Sequence, residues 1–180
     1  MKQLKSLSAF LMSLLLMVSC SNTDKDDLEI KPIAASGEIS SFFDKHLPAQ
    51  SSTPASDFSF GDKSECMIIN SMDEFRRSVS SQIDKLPAID FTKNTLVLGQ
   101  ARMSDPGFSF KKQSVTINDD TLTIHLKFEK NKGATPTVVT YFYYWGLYEK
   151  LPEKPTDVDL NIGLGDAFNA FLMVGRMALT

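Results

Sequence analysis

The chain has few of the residues that hold metal ions or serve as catalytic nucleophiles. Its 180 residues include two cysteines, two histidines and one tryptophan. His46 and His125 belong to no His-x-x-x-His pattern and to no Cys/His cluster, so we expect no zinc site. No serine lies in a Gly-x-Ser-x-Gly motif. These absences argue against a metal enzyme, leave no recognisable nucleophile and give no reason to expect a cofactor.

The chain begins with an apolar run that is too short to span a membrane. The run extends from Leu7 to Val18, whereas a membrane-spanning helix needs about 20 residues. Lys2 and Lys5 precede it, and Ser19 and Cys20 follow it. A short positive segment followed by a short apolar segment is typical of a cleaved signal. We therefore interpret residues 1–19 as a signal peptide.

The cysteine at the predicted cleavage site indicates which class of signal peptide this is. Val18-Ser19-Cys20 resembles the lipobox of bacterial lipoproteins, in which the cysteine thiol carries diacylglycerol and the freed amine usually carries a fatty acid such as palmitate. Each buried methylene of such chains contributes about 0.8 kcal/mol to membrane binding. The sequence thus predicts a protein that is anchored to a membrane through Cys20 and does not span it.

The residues after Cys20 indicate which membrane face the protein occupies. Lys25, Asp26 and Asp27 resemble the export signal that sends lipoproteins of some Gram-negative anaerobes to the outer face of the outer membrane. The alternative is a solvated, charged tether without a sorting role, which would allow the periplasmic face. We expect a lipid anchor in the outer membrane, on the cell-surface face.

The second cysteine, Cys66, is expected to be a free thiol. With Cys20 acylated, only Cys66 is left, so no intramolecular disulfide can form. Cys66 begins an apolar run, which favours a buried, inert thiol over a nucleophile.

Loss of Lys2 and Lys5 with the signal takes the net charge from −3 to about −5. This charge argues against nucleic acid and anionic membrane surfaces as partners.

Composition divides the mature chain into a tether and one domain. Residues 20–37 are polar, contain Pro32 and end in a small-residue run, which is typical of a tether. Residues 38–57 are expected to form a short amphipathic helix, ended by Pro48, and a linker rich in Ser and Pro. Residues 58–180 are expected to form a single α+β domain.

Hydrophobic periodicity predicts the elements of this domain. Ser71 and Glu74 form a capping box, and apolar residues at helical spacing predict a helix from there to Pro87. Strands are predicted at 66–70, 96–103, 108–117, 121–129 and 137–148. We therefore expect an α+β fold, with an antiparallel sheet of about five strands and one main helix packed on one face.

Several short motifs of the domain resemble one protein family. These motifs are Pro87-Ala-Ile-Asp-Phe91, Val97-Leu-Gly99, Gly107-Phe-Ser-Phe110, Ser114-Val115 and Asp120-Thr-Leu122. Together they resemble the C-terminal domain of PrcB-type protease-complex subunits over roughly residues 66–145. In place of the family's Thr-Gly-Gly-Tyr-like turn, this chain has Ser104-Asp-Pro-Gly107. The resemblance implies an accessory, non-catalytic domain that contacts partner proteins, and it supplies no catalytic residues.

The most aromatic strand is the best candidate binding element in the sequence. In Tyr141-Phe-Tyr-Tyr-Trp145, alternation places Tyr141, Tyr143 and Trp145 on one side of the strand. That side is either covered, which gives a strand buried on both faces, or open, which gives a platform for a sugar ring or a partner's side chains. If it is open, Thr123, His125 and Lys127 are possible neighbours on a shared face.

Two further segments leave alternatives. Asp157-Val-Asp-Leu-Asn161 begins like a calcium loop, but Ile162 occupies the position that needs glycine, and the alternation favours a strand. The apolar segment from Gly165 to Thr180 is expected to be docked, as a helix or a strand, against the body or in a partner subunit.

Two function classes follow from the sequence. The first is a lipid-anchored, non-catalytic binding or accessory protein that contacts a partner protein or a glycan. The alternative is an envelope hydrolase with an unrecognised site. The absence of a nucleophile or metal motif favours the first class.

Overall fold

The computed structural model describes residues 29–163, with side chains described as far as Asp159. Cys20, Lys25, Asp26, Asp27 and the segment 165–180 lie outside these residues. No helix within them is long and apolar enough to cross a membrane. The elements, in chain order, are α1 (Gly37–His46), β1 (Gln50–Ser51), β2 (Glu65–Ile69), α2 (Met72–Ser78), β3 (Asn94–Met103), β4 (Phe108–Ile117), β5 (Leu122–Lys130), β6 (Thr140–Glu149) and β7 (Thr156–Gly163).

The strands form two sheets. One has the order β1-β6-β3-β2 and is antiparallel throughout. The other has the order β4-β5-β7, in which β4 and β5 are an antiparallel hairpin and β7 runs parallel to β5. The α+β class expected from the sequence is confirmed, and its strands are divided between a four-stranded and a three-stranded sheet.

The two sheets pack face to face around one hydrophobic core. Each strand alternates its side chains, so every second residue of β3 and β6 meets every second residue of β4 and β5. Val97, Phe142 and Tyr148 come from the first sheet, and Val115 and Phe128 come from the second. All five are nearly inaccessible to solvent.

A second core lies on the other face of the four-stranded sheet and is covered by α1. Phe42 and Phe43 of α1 pack there with Phe75 of α2 and with Leu96 and Leu98 of β3. The four-stranded sheet is therefore buried on both faces, which explains why every residue of β3 from Thr95 to Ala101 is buried.

The helix α1 begins and ends where its sequence predicts. The Ser36 hydroxyl accepts a hydrogen bond from the Ile39 N–H, 3.4 Å away, and caps the first turn. At the other end the Leu47 N–H donates to the Phe43 carbonyl, and Pro48 prevents continuation. The helix is docked on the body, since Ile39, Phe42 and Phe43 are buried.

The helix α2 is shorter than predicted. Its capping box forms, since the Ser71 hydroxyl accepts from the Glu74 N–H at 3.2 Å, although the Glu74 carboxylate accepts from the Asn70 N–H rather than from that of Ser71. The helix ends at Ser78 because Val79 is extended and pairs with Phe58. Ile83 still reaches the core, but from a loop. The predicted helix from Ser71 to Pro87 was therefore wrong beyond Ser78.

The last part of the expected tether is docked on the domain. Ile30 exchanges backbone hydrogen bonds with Val115 of β4, at 2.7 and 2.8 Å, and the Ile33 N–H donates to the Leu147 carbonyl of β6 at 2.7 Å. We call residues 29–33 the strap, because they join the outer side of β4 to the part of β6 that extends beyond its pairing with the two-residue strand β1. The predicted boundary at residue 37 was wrong, since the chain is already paired with the domain at Ile30.

Candidate functional site

The aromatic residues of β6 are core residues. Tyr141 is 6% exposed and Tyr143 is 5% exposed. Trp145 is half-buried, and its ring stacks on that of Phe43 with centroids 4.2 Å apart and planes inclined by 18°. The Tyr143 hydroxyl donates to the Thr53 carbonyl at 3.0 Å. The alternative of an open aromatic platform was wrong, because α1 and the segment that follows it cover this side of the strand.

The other side of β6 is covered as well. Phe142 and Tyr144 lie in the core between the sheets, with Tyr144 2% exposed. Burial raises the pKa of the Tyr144 hydroxyl well above its ordinary value, and this hydroxyl donates to the Glu65 carbonyl. β6 is thus the strand buried on both faces that the sequence allowed as one alternative.

His125 lies on a different surface from the aromatic residues. It belongs to β5, and its side chain faces outward from the three-stranded sheet, as do those of Thr123 and Lys127. The predicted face shared by these residues with Tyr141, Tyr143 and Trp145 does not exist, because β5 and β6 belong to different sheets.

The structure places His125 between a hydroxyl and a carboxylate. The Thr116 hydroxyl lies 2.8 Å from Nε2 of His125, and an Asp159 carboxylate oxygen lies 3.2 Å from Nδ1. This order matches that of a hydrolase triad. Sequence spacing does not predict this arrangement, because the three residues come from three strands.

We call Thr116, His125 and Asp159 the row, and their surroundings do not favour catalysis. The His125 and Asp159 side chains are 36% and 41% exposed, so water screens their interaction. β5 is paired with β4 on one side and β7 on the other, so its amides are engaged in the sheet. β5 therefore offers no free N–H beside His125 to stabilise an oxyanion, which a hydrolase of this type requires.

Two other candidate sites from the sequence are structural elements. The segment Asp157-Val-Asp-Leu-Asn161 lies in β7, so the strand alternative to a calcium loop is confirmed. Among the residues that the structure describes, no three His, Cys, Asp or Glu side chains are grouped so that they could hold a metal ion. Cys66 is 3% exposed, and burial raises the pKa of its thiol to about 12, so it is not a nucleophile at neutral pH.

The turn Ser104-Asp-Pro-Gly107 is held by Asp105. One carboxylate oxygen accepts from the Gly107 N–H at 2.9 Å and from the Thr135 hydroxyl at 3.0 Å, and the other accepts from the Lys130 ammonium at 2.9 Å. The Lys130 ammonium, together with the Gly107 N–H, lowers the pKa of this carboxyl below its ordinary value. These contacts join the β3–β4 turn to β5 and to the loop before β6.

A groove lies along the free side of β2. It has a volume of about 600 Å³ and is formed by β2, by α2 and by the segment that leads into β7. Within the described part of the chain, β2 pairs only with β3, so its second edge faces this groove. The residues that line the groove include Met67, Ile68, Asn70, Glu74, Arg77, Leu122, Pro152, Glu153 and Lys154.

The groove contains two half-buried apolar residues, one exposed arginine and one lysine whose ammonium is already hydrogen-bonded. Met67 and Ile68 are half-buried, and alternation along β2 places their side chains on opposite faces of the strand. Arg77 is exposed on the rim and forms no ion pair with a described residue. Lys154 is fixed, since its ammonium donates to the carbonyls of Asn118 and Asp119 at 3.0 and 2.8 Å. Sequence reasoning missed this groove because it is assembled from three separate segments.

Comparison of the chain with protein-family models, with curated proteins and with solved structures finds no match. The resemblance to the C-terminal domain of PrcB-type subunits therefore stays a prediction.

Proposed function

We propose that the protein is a lipid-anchored, non-catalytic binding domain of the outer membrane, displayed on the cell surface, and that it binds an extended segment of a partner protein in the groove beside β2. The observation that carries this proposal is the second edge of β2, which has no partner strand within residues 29–163 and opens into a groove of about 600 Å³.

A free strand edge is a ready-made binding element. Its outward N–H and C=O groups can pair with an extended segment, which supplies affinity through main-chain hydrogen bonds. β2 has five residues, enough to pair with one short segment. The short length and the neighbouring charges of Glu74 and Arg77 also protect this edge from non-specific association.

The side chains around β2 would supply selectivity. Met67 and Ile68 offer apolar surface to alternate side chains of an added strand. Arg77 offers a planar, permanently charged group that is suited to a carboxylate of the partner. An extended segment with an apolar side chain and an acidic side chain fits this arrangement.

A protein partner is favoured over a glycan. The open platform of Tyr141, Tyr143 and Trp145 was the surface expected for a sugar ring or for a partner's side chains, and Tyr141 and Tyr143 are buried. The described groove contains no exposed aromatic ring on which a sugar could stack.

One observation favours the hydrolase alternative, namely the row formed by Thr116, His125 and Asp159. If this row were catalytic, a fluorophosphonate probe would label the protein, and Thr116→Ala would abolish the label. We expect no labelling, because the N–H groups of β5 beside these residues are engaged in the sheet and cannot serve as oxyanion donors. Labelling that depends on both Thr116 and His125 would favour the hydrolase instead.

Peptide display on the folded mature chain tests the groove. Extended peptides are selected against the protein, and their binding is measured to Arg77→Glu and to Lys132→Glu. Lys132 is an exposed residue of the loop between β5 and β6, so the second variant makes the same charge change away from the groove. We expect selected peptides to share an acidic position and to lose at least tenfold in affinity with Arg77→Glu alone. Equal affinity for both variants would contradict binding in this groove.

A further inference from the structure

The strap fixes which side of the domain lies next to the anchor. It crosses the seam between β4 and β6 through the pairs of Ile30 with Val115 and of Ile33 with Leu147. Residues 21–28 separate it from Cys20, and these eight residues span at most about 30 Å when fully extended. If Cys20 carries the lipid, this seam is held close to the membrane surface.

Exposed apolar side chains are concentrated on this seam. Four large hydrophobic residues of the described chain are exposed, and two of them, Ile33 (37%) and Phe110 (38%), lie here. A β-bulge between Phe110 and Lys112 interrupts the pairing of β4 at this point. Bulges reorient neighbouring side chains and are common next to functional surfaces.

Lysines surround these apolar residues. A shallow groove of about 310 Å³ is lined by Lys31, Phe110, Lys111 and Lys112, together with Pro32. Lys112 pairs with Glu29, and Lys111 lies 3.4 Å from Glu129 across an exposed ion pair. Lys31 is exposed and forms no ion pair with a described residue. Exposed pairs of this kind exchange readily with other anions.

We propose that this seam is a membrane-contact surface, in which Ile33 and Phe110 enter the headgroup region and Lys31 and Lys111 bind lipid phosphates. The proposal rests on the lipid anchor of the proposed function. Apolar side chains flanked by lysines are the combination that binds the boundary between lipid headgroups and acyl chains. The net charge of about −5 describes the whole mature chain, whereas this surface carries three lysines against Glu29 and Glu129.

This orientation places the binding groove on the far side of the domain. The strap joins β4 and β6, whereas β2 and β7 form the opposite edges of the same two sheets. A domain that rests on the strap seam therefore points the β2 groove away from the membrane, toward partners in the surrounding medium.

Fluorescence quenching in vesicles tests this contact. The acylated chain is inserted in vesicles of phosphatidylethanolamine and phosphatidylglycerol that contain a headgroup-labelled quencher lipid. A fluorophore is attached through Phe110→Cys or, as the matched control, through Met72→Cys, since Met72 is 40% exposed and lies in α2 beside the groove. The native Cys66 does not compete, because it is buried.

We expect quenching at position 110 to exceed quenching at position 72 at least twofold, and we expect the double variant Lys31→Glu, Lys111→Glu to bring the ratio close to one. Equal quenching at both positions in the unmodified background would overturn the proposal. If Phe110→Cys fails to fold, Lys112→Cys reports on the same surface and leaves Lys31 and Lys111 in place. Failure of the chain to float with the vesicles would refute the anchor and this contact together, whereas failed peptide binding would leave the quenching ratio unchanged.

Discussion

The Phe43 ring of α1 stacks on the Trp145 ring of β6, with centroids 4.2 Å apart. This contact joins the first helix to the most aromatic strand and covers the face that sequence alternation offered as a possible platform. Phe43 is fully buried and also packs against Phe58 and Phe75. α1 is therefore an integral part of the domain core.

Truncation of Phe43 should strongly destabilise the fold. Phe43→Ala removes a buried ring and leaves a cavity against Trp145, so we expect a loss of about 3–5 kcal/mol in the free energy of unfolding. Trp145 is the only tryptophan, and its fluorescence should shift to the red in this variant. Urea unfolding followed by tryptophan emission measures both. The same substitution at Phe110, which is 38% exposed, should cost less than about 1 kcal/mol. Equal losses in the two variants would contradict the burial of α1.

Gly99 allows Tyr144 to cross β3. A Cβ at position 99 would lie 2.3 Å from the ring and the hydroxyl of Tyr144 and 2.5 Å from the Glu65 carbonyl oxygen. Gly99→Ala should therefore cost about 1–3 kcal/mol through overpacking. Thermal unfolding provides the measurement, and Gly37→Ala is the control, because no atom lies within 4 Å of a Cβ at that position. A Gly99→Ala variant as stable as the parent would show that Tyr144 does not occupy this space.

The Asp105 carboxyl should make stability depend on pH in the acid range. Its pKa is lowered in the folded state by Lys130 and the Gly107 N–H, relative to an ordinary value of 3.8. The resulting stabilisation is present above that ordinary value and is lost as the pH falls through the folded pKa. Urea unfolding between pH 6 and pH 2, within the range where folding is reversible, should therefore give a steeper acid loss for the parent than for Asp105→Asn. Identical slopes would argue against the contacts of Asp105.

The Cys66 thiol should be inert in the folded protein. Burial raises its pKa from 9.0 to about 12, so neither the thiolate nor access for a reagent is available at pH 8. Ellman's reagent should react with the chain carrying Cys20→Ser only after denaturation. Between pH 9 and pH 12 the unfolded state loses the thiol proton first, so stability should fall as the pH rises. Rapid reaction of the native protein at pH 8 would refute this burial.

Local patterns predicted much of the fold. The alternation of β5 and the end of α1 before Pro48 depend on neighbours in sequence, so these elements are found where they were expected. The length of the helix after Ser71 was overestimated. Val79 leaves the helix because its backbone pairs with that of Phe58, twenty-one residues earlier in the chain. The division into two sheets depends in the same way on long-range pairing, of which the parallel contact of β7 with β5 is an example.

The candidate sites were less predictable than the fold. The sequence pattern of an aromatic strand is the same whether its second face is open or covered. In β6 the docking of α1 covers that face. The groove beside β2 requires Met67, Arg77 and Lys154 to meet from three segments. The strap was expected as part of a tether, because its sequence is short, polar and contains Pro32. Its pairing with β4 and β6 leaves no local signature.

Site-specific photo-crosslinking in the intact bacterial envelope tests the central claim most directly. p-Benzoylphenylalanine replaces Glu153, an exposed residue that lines the groove, or, as the control, exposed Val138 in the loop before β6. Arg77 is kept in both variants. We expect the probe at position 153 to form a discrete adduct that mass spectrometry maps to an extended segment of one protein, and the probe at position 138 to form none. Adducts at position 138 but not at position 153, or no adduct at either position, would contradict a partner-binding groove beside β2.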